Sequence, residues 1–205
     1  MKVDSLSEAG FSSLEGKLDA AGRSFAIVVA RFNAFITERL LRSAYDGLLQ
    51  TGVAKKDIDI VRVPGAFEIP IAARTLALTR NYDAIICLGC LLRGDTAHYD
   101  VIVNEVTRGI GQSAQDTGVP HAFGVLTCET LEQAIDRAGL KMGNKGFEAA
   151  LAAVEMASLK SAIHSQPSAV SKKQAPRSAR NATERRHHET EKRNDQTNKH
   201  ARRKS

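Results

Sequence analysis

The sequence predicts an α/β fold, with helices on both faces of a parallel four-stranded sheet, and a basic C-terminal tail outside that fold. Four short apolar segments alternate with longer segments in which apolar residues recur at helical spacing. Strands separated by helices of about ten or more residues pair in parallel through right-handed crossovers. Both patterns stop near Ile163, so the predicted domains are the folded residues 1–163 and the tail, 164–205.

The first strand and the first helix are the clearest pair of elements. The run from Phe25 to Ala30 is short, apolar and rich in β-branched residues, which is typical of a strand buried on both faces. Asn33 is a suitable N-cap for the helix that follows, and Gly52 ends that helix. Its buried face is predicted from apolar residues at every fourth position, namely Ile36, Leu40, Ala44 and Leu48.

The second and third strands follow along the chain. Ile58 to Val63 is predicted to be a strand that ends at Pro64-Gly65. A helix is then predicted from Ala66 to Arg80. The third strand, Ala84 to Leu92, is closed by the turn Gly94-Asp95-Thr96.

The remaining elements complete the alternation. A long helix from His98 to Gln115 is ended by Gly118, and the fourth strand is Ala122 to Thr127. A short helix, Thr130 to Ala138, and a last helix, Asn144 to Ala162, follow. This order predicts a three-layer sandwich whose four-stranded parallel sheet is flavodoxin-like.

The tail differs in composition from the rest of the chain. It contains 12 Lys or Arg and 4 Asp or Glu residues, a balance of +8, whereas residues 1–163 contain 17 and 19, a balance of −2. After Ile163 no aromatic residue occurs, and Val170 is the only aliphatic residue other than alanine. Such a segment cannot bury enough apolar surface to offset its ordering entropy, so it is predicted to be disordered. Its charge favours weak, non-specific binding of RNA or another polyanion, and a solubilising extension is the alternative.

Other sequence features indicate in which cellular compartment the protein is found. No run of about 18 apolar residues occurs, so no segment is predicted to cross a membrane. Residues 1–16 lack the pattern of a secretory signal, and an odd, small number of cysteines indicates reduced thiols. These features predict a cytoplasmic protein. Cys87 and Cys90 match the C-x-x-C spacing, but both lie in or at the end of a predicted strand, which disfavours a redox or metal site.

In open parallel sheets, ligands bind beyond the carboxyl ends of the strands. The fourth predicted strand ends at Thr127-Cys128. The other three ends carry polar or glycine-containing segments: Arg31-Phe32-Asn33, Pro64-Gly65-Ala66, and Leu92 to Thr96. The sequence therefore predicts that a ligand binds at this edge of the sheet.

The segment from Arg93 to His98 has the features of an anion site. A glycine turn before a helix presents free backbone N–H groups, and Thr96 adds a hydroxyl donor. His98 lies in the first helical turn, where the dipole disfavours imidazolium, so a neutral ring could act as a base. The alternative is an ordinary loop with a surface histidine. His121 begins a strand and is a weaker catalytic candidate.

Three further side chains each allow two interpretations. Phe32 could stack on a planar heterocycle, or it could be a core residue beside a helix cap. Glu68 could accept from sugar hydroxyls or ring amides, or only complement a helix N-terminus. Arg137 could bind a phosphate through its forked donors, or only stabilise a helix C-terminus.

Six stretches of the chain together resemble the lumazine synthases, from about Leu14 to Leu159. They occur in the order and spacing of that family, which makes the resemblance specific. Cys90 stands where another small residue is usual, and its contact would be through the main chain. The stretches are EGKL at 15–18, ARFN at 30–33, VPGAFEIP at 63–70, Leu88 to Asp100, FGVLT at 123–127 and GNKG at 143–146.

The resemblance implies a role for each matching residue. Phe32 would stack on a pyrimidine ring, Asn33 and Glu68 would contact a ribityl chain, and His98 would transfer protons. The main chain of the following residues would contact the same substrate: Ala66, Phe67, Cys90, Leu91 and Leu92. The implied phosphate site consists of Gly94, Asp95, Thr96 and Arg137. Three residues would come from a neighbouring subunit: Phe123, Arg137 and Lys145.

The implied reaction condenses 5-amino-6-(D-ribitylamino)uracil with 3,4-dihydroxy-2-butanone 4-phosphate, without a metal or organic cofactor. The implied assembly is a homo-pentamer. A short connection at 139–146 favours twelve pentamers in an icosahedral shell of sixty subunits, which could enclose a riboflavin synthase. Two other hypotheses stay open: a flavodoxin-like FMN protein, which needs a hydroxyl-rich loop after the first strand, and a catalytically silent shell protein.

Overall fold

The computed structural model describes residues 13–166. Four parallel strands and five α-helices alternate along this range. None of these helices is both long enough and apolar enough to cross a membrane. Residues 167–205 lie outside the described range. The predictions that the tail is disordered and that it binds polyanions therefore also fall outside the described residues.

The sheet has the strand order β2-β1-β3-β4. The strands are β1 Phe25–Ala30, β2 Ile58–Val63, β3 Ala84–Leu92 and β4 His121–Cys128. All of β1 is buried, and so is β3 as far as Cys90, because helices cover both faces of these central strands. The register pairs Ile27 with Ile60 on one side and with Ile86 on the other. The predicted parallel sheet is therefore confirmed.

The helices divide between the two faces of the sheet. They are α1 Ala34–Gln50, α2 Ile69–Leu78, α3 His98–Thr117, α4 Leu131–Arg137 and α5 Lys145–Ser165. Helices α1, α4 and α5 cover one face, where Leu40, Ala134 and Ala150 belong to one apolar cluster. Helices α2 and α3 cover the other face through Ala73 and Val106. This arrangement is the predicted three-layer sandwich.

Two boundaries differ from the sequence prediction by three residues, and several others differ by one or two. In place of a single helix from Ala66 to Arg80, a 3-10 turn at Ala66–Glu68 precedes α2, which ends at Leu78. Arg80 has a φ of 61°, a left-handed conformation that an α-helix excludes. Helix α5 continues to Ser165, three residues past its predicted end at Ala162 and past the predicted domain limit at 163. Each residue added to an existing helix gains a backbone hydrogen bond. A helix can therefore extend past the point where the apolar pattern stops, and composition alone does not predict its last residue.

The connection between α4 and α5 is a tight turn held by Asn144. The Nδ2 of Asn144 donates to the main-chain oxygen of Ala138 at 2.8 Å, and its Oδ1 accepts from the N–H of Gly146 at 2.8 Å. A Cβ on Gly146 would lie 2.0 Å from the main-chain oxygen of Leu40. Only glycine therefore allows α5 to begin this close to α1.

Candidate active site

A cleft of about 500 Å³ opens at the carboxyl ends of β1 and β3. Eleven of the predicted site residues line this first cleft, and they follow or end three different strands. They are Phe32, Asn33, Ala66, Phe67, Glu68, Cys90, Leu91, Leu92, Gly94, Thr96 and His98. The edge of the sheet that was predicted to bind a ligand is where these segments meet.

The lining of the first cleft differs from the predicted set in a few positions. Tyr99 and Ile102 line it without having been predicted, whereas Gly65 belongs to the predicted strand-end segment Pro64-Gly65-Ala66. Ile102 lies four residues after His98 on α3, and helical spacing places such residues on one face, so this signal could have identified it. Asp95 was predicted at the phosphate site but is not one of the lining residues.

The first cleft presents two exposed aromatic rings. Phe32 is 67% exposed and Phe67 is 56% exposed. The interpretation of Phe32 as a core residue is therefore wrong, and it belongs to neither apolar cluster. An exposed ring beside a cleft is suited to stacking on a planar heterocycle, because that contact buries apolar area on both partners.

Asn33 connects the ends of β1 and β3. Its backbone is left-handed, with φ 60° and ψ 41°, and its Nδ2 donates a 2.9 Å hydrogen bond to the main-chain oxygen of Cys90. The predicted capping by its side chain is wrong, because this side chain makes no cap hydrogen bond to α1. The main-chain oxygen of Asn33 accepts instead from the N–H groups of Ile36 and Thr37, at 2.9 and 3.0 Å. Asparagine suits this position because it tolerates the left-handed conformation.

Glu68 caps the turn that follows β2. Its Oε2 accepts a 2.9 Å hydrogen bond from the N–H of Gly65. The interpretation that Glu68 complements a helix N-terminus is therefore correct for the chain without a ligand. An ionised carboxylate offers about four acceptor positions, so this bond leaves capacity for a ligand hydroxyl. The cap also fixes the carboxylate at the wall of the first cleft, and the two interpretations of Glu68 are compatible.

His98 begins α3 and is exposed to the first cleft, as is Thr96. The N-cap residue is Ala97, which provides no side-chain hydrogen bond to the first turn. First-turn N–H groups without a side-chain cap stay available to an anion. The helix start therefore combines anion-binding groups with an imidazole.

A second cleft, of about 520 Å³, lies along the carboxyl half of β4. Three predicted site residues, Phe123, Arg137 and Lys145, line it together with Thr127 and Gln133, which were not predicted. Arg137 ends α4, and Lys145 begins α5, where it pairs with Glu148. The two clefts share no lining residue. Within one chain, Arg137 and His98 thus belong to different clefts.

The three cysteines are free and buried. Burial raises the pKa of both Cys87 and Cys90 to about 12, so neither forms a thiolate near neutral pH. Among residues 13–166, no group of three or more His, Cys, Asp or Glu side chains could hold a metal ion. The C-x-x-C pair is part of the apolar core around β3.

His121 lies at the amino end of β4, away from both clefts. Its Nε2 is 2.9 Å from Oγ of Ser113, and its Nδ1 is 2.8 Å from the main-chain oxygen of Val119. A carbonyl oxygen can only accept, so Nδ1 carries the proton and Nε2 accepts from the Ser113 hydroxyl. Burial lowers the pKa of His121 below 6.5. This histidine joins α3 to β4 and has a structural role.

The connection after β1 bears on the flavin hypothesis. Strand β1 leads into α1 through Arg31, Phe32 and Asn33, none of which has a hydroxyl group. A flavodoxin-like FMN protein would need hydroxyl donors here to hold the phosphate. The loop with free N–H groups instead follows β3, which disfavours the FMN hypothesis.

Comparison with known proteins gives concordant matches. Residues 22–161 match the sequence profile of 6,7-dimethyl-8-ribityllumazine synthase. The chain is also similar to a Desulfotalea psychrophila protein named 6,7-dimethyl-8-ribityllumazine synthase, with 57% identity over 150 residues. This alignment covers 73% of the chain and 97% of the relative. The residues matched by the profile include the lining of both clefts.

Proposed function

The chain belongs to the 6,7-dimethyl-8-ribityllumazine synthase family, and from that premise we propose how its two clefts carry out the family's reaction. The enzyme is a transferase of riboflavin biosynthesis. It condenses 5-amino-6-(D-ribitylamino)uracil with 3,4-dihydroxy-2-butanone 4-phosphate to give 6,7-dimethyl-8-ribityllumazine. The assignment of individual residues to steps of this reaction is the subject of the proposal.

The first cleft binds the ribitylaminopyrimidine. The exposed ring of Phe32 stacks on the pyrimidine, which is supported by its 67% exposure at the mouth of the cleft. The amide of Asn33 and the carboxylate of Glu68 face the ribityl hydroxyls, and both are already held by hydrogen bonds to main-chain atoms. Further main-chain contacts come from the cleft wall, at Ala66, Phe67, Cys90, Leu91 and Leu92.

The start of α3 binds the phosphate of the second substrate. The N–H groups of Gly94 and Asp95 and the hydroxyl of Thr96 are the proposed donors, and the uncapped first turn adds a favourable dipole. His98 is the proposed proton-transfer residue, because its imidazole is exposed to the same cleft. Phosphate binding next to His98 places the reacting carbons of the sugar within reach of the imidazole.

The chemistry needs little beyond this placement. The primary amine of the pyrimidine attacks the ketone of the sugar phosphate, and loss of water gives an imine. Phosphate then leaves, and closure of the second ring with loss of another water gives the lumazine. The nucleophile belongs to the substrate, so orientation can supply an effective molarity of about 10⁵ M or more. Proton transfer by His98 adds a factor on the order of 10²–10⁴.

A neighbouring subunit completes each site with Phe123, Arg137 and Lys145. The separation of the two clefts within one chain supports this proposal. The guanidinium of Arg137 can bind the substrate phosphate only if it lies near the start of α3, and within one chain it lines the other cleft. In a ring of identical subunits, the second cleft of one subunit can face the first cleft of the next. Every active site is then shared between two chains, and a monomer is inactive.

Incubation with both substrates tests the proposed reaction directly. The absorbance and fluorescence of the lumazine should appear only when both substrates and the protein are present. A sharper test uses His98→Ala and Arg137→Ala subunits, unfolded together and reassembled in equal amounts. If sites are shared, about a quarter of them regain both side chains in random rings. Recovery of activity on mixing supports shared sites, and the absence of any recovery contradicts them.

The proposed assembly is a homo-pentamer, with twelve pentamers in a sixty-subunit shell. Large apolar side chains remain exposed in the single chain, including Ile71 at 64%, Val101 at 59% and Leu140 at 68%. Such exposure marks surfaces that pack against other chains. The tight turn at Asn144 adds no bulk between α4 and α5, which favours contacts between pentamers. A riboflavin synthase is the proposed cargo of the shell.

The proposed role of the tail is weak binding of RNA or another polyanion. The support is compositional: residues 164–205 carry a balance of +8. The test compares the full chain with a chain that ends at residue 166, where the described structure ends. Nucleic acid that co-purifies at low salt should be lost with the tail. Equal nucleic acid content in both proteins contradicts this role and favours a solubilising extension.

We also propose that the enzyme is cytoplasmic. The support is that Cys87, Cys90 and Cys128 are all free thiols, as expected in a reducing compartment. Cell fractionation followed by the lumazine assay tests the location, and activity confined to another fraction contradicts it.

A further inference from the structure

Arg93 closes the loop that precedes α3. Its guanidinium makes two hydrogen bonds to the carboxylate of Asp100, Nη1 to Oδ2 at 3.0 Å and Nη2 to Oδ1 at 2.8 Å. The ion pair thus joins the two ends of segment 94–99. That segment carries the proposed phosphate donors and the proton-transfer residue: Gly94, Asp95, Thr96 and His98.

Arg93 is also attached to β4 and to the cleft wall. Its main-chain N–H donates to the main-chain oxygen of Cys128 at 3.0 Å, and its Nε lies 2.7 Å from Oε2 of Glu129. The guanidinium carbon lies 4.2 Å from the centre of the Tyr99 ring, which lines the first cleft. Such a cation–π contact fixes the orientation of both groups. The segment is therefore anchored at its Arg93 end to β4 and to Glu129.

The contacts of Arg93 indicate that it does not bind the substrate itself. Its side chain is not part of the lining of either cleft, and Nε, Nη1 and Nη2 all point to carboxylates. The hydrogen bond from Arg93 holds the pKa of Asp100 below its usual value of 3.8, so the pair stays ionised at neutral pH. Any effect of Arg93 on the reaction must therefore pass through the loop.

We propose that Arg93 and Asp100 are positioning residues for the sugar phosphate, which hold segment 94–99 in the conformation that binds the phosphate. This inference rests on the proposed function and adds two residues to it. Backbone N–H groups bind an anion well only if they converge before it arrives, because ordering a loop on binding costs affinity. A forked ion pair across the ends of a loop restricts its conformations. Exposed ion pairs add little to stability, so the effect is expected in binding rather than in folding.

The test is a comparison of Michaelis constants for the two substrates. Arg93→Gln should raise KM for the sugar phosphate about three- to fivefold and leave KM for the ribitylaminopyrimidine within about 1.5-fold. Inhibition by inorganic phosphate should weaken by a similar factor. Arg93→Lys should not restore binding, because one ammonium group cannot form the fork. Asp100→Asn should have the same effect as Arg93→Gln, and the double variant should be no worse than either single variant.

Arg108→Gln is the matched control. Arg108 pairs with Glu105 at 2.6 Å on the same helix, but no loop lies between them, so both KM values should stay unchanged. Equal changes in both KM values for Arg93→Gln, or no change, would overturn the proposal. If Arg93→Gln fails to fold, Asp100→Asn decides the question in the same way. A wild-type protein that forms no lumazine would instead contradict the proposed function.

Discussion

The side-chain amide of Asn33 is bonded to the main-chain oxygen of Cys90, with 2.9 Å between Nδ2 and oxygen. This bond ties the end of β1 to β3 directly beneath the first cleft. A capping asparagine accepts through Oδ1, but in this structure the side chain of Asn33 makes no cap hydrogen bond to α1. Asn33 thus combines an uncommon backbone conformation with a fixed side chain.

Two substitutions of Asn33 separate these features. Asn33→Gly loses the hydrogen bond but permits φ of 60°, whereas Asn33→Ala loses the bond and also strains the backbone. We expect Asn33→Ala to have a free energy of unfolding about 0.5–1 kcal/mol below that of Asn33→Gly. Both should raise KM for the ribitylaminopyrimidine. Urea denaturation measures the difference, and equal stability of the two variants would show that the left-handed backbone is not under strain.

His98→Ala should lower the rate of lumazine formation at least about tenfold at saturating substrates, and it should leave measurable activity. The reason is that orientation of the two substrates, which the variant keeps, supplies much of the catalysis. Initial rates of fluorescence increase measure the effect. His121→Gln serves as the control, because His121 lies at the amino end of β4, whereas the first cleft opens at the carboxyl ends of the strands. This variant should keep the wild-type rate at neutral pH. A wild-type rate in His98→Ala would remove this residue from the mechanism.

Arg137→Ala should mainly weaken binding of the sugar phosphate. We expect KM for that substrate to rise at least about tenfold, with a smaller change in kcat, because the fork contacts phosphate in ground and transition states alike. Arg137→Lys should be intermediate, since lysine keeps the charge without the fork. Steady-state kinetics with each substrate varied in turn distinguish the two constants. A change confined to kcat would contradict the assignment.

The stability of the protein should depend on pH through His121. Burial lowers its pKa below the unfolded value of 6.5, so between these two pKa values the unfolded chain binds more protons than the folded one. The contribution of His121 is complete above pH 6.5 and is lost as pH falls toward its folded pKa. His121→Gln should therefore flatten the fall in unfolding free energy as pH decreases below 6.5. The same slope in both proteins would assign the dependence to other groups.

The assembly should be visible by light scattering and electron microscopy at moderate salt. We expect hollow particles of about sixty subunits, because closed symmetry limits growth once pentamers contact one another. Sixty tails at a balance of +8 repel each other, so lower salt should weaken the shell. The chain truncated after residue 166 is the control and should assemble at lower salt than the full chain. Particles no larger than a pentamer, with and without the tail, would refute the shell.

The tertiary structure decided the structural roles of several features that the sequence had indicated. The C-x-x-C pair is apparent in the sequence and its strand position already disfavoured a redox site, but only the structure shows that Cys87 and Cys90 are buried, which raises the pKa of both thiols. Glu68 was open to two interpretations, and the hydrogen bond to Gly65 showed that one does not exclude the other. Asn33 was predicted to cap α1, but its partner is 57 residues away. Contacts between residues distant in sequence leave no local pattern from which they could be predicted.

The sequence by itself determined the order of strands and helices and the strand ends beside which the first cleft opens. Most of the residues that line this cleft were expected from the resemblance to the lumazine synthases. The order of the elements and the positions of the strand ends depend on local periodicity and on turns, such as Gly94 after β3, which a single segment encodes. Only the tertiary structure brought Arg93 and Asp100 together across a loop. It also placed Arg137 and His98 in different clefts, which agrees with the expectation from the resemblance that Arg137 serves a neighbouring subunit. Such distances depend on how helices pack on the sheet, and packing is a property of the whole chain rather than of any segment.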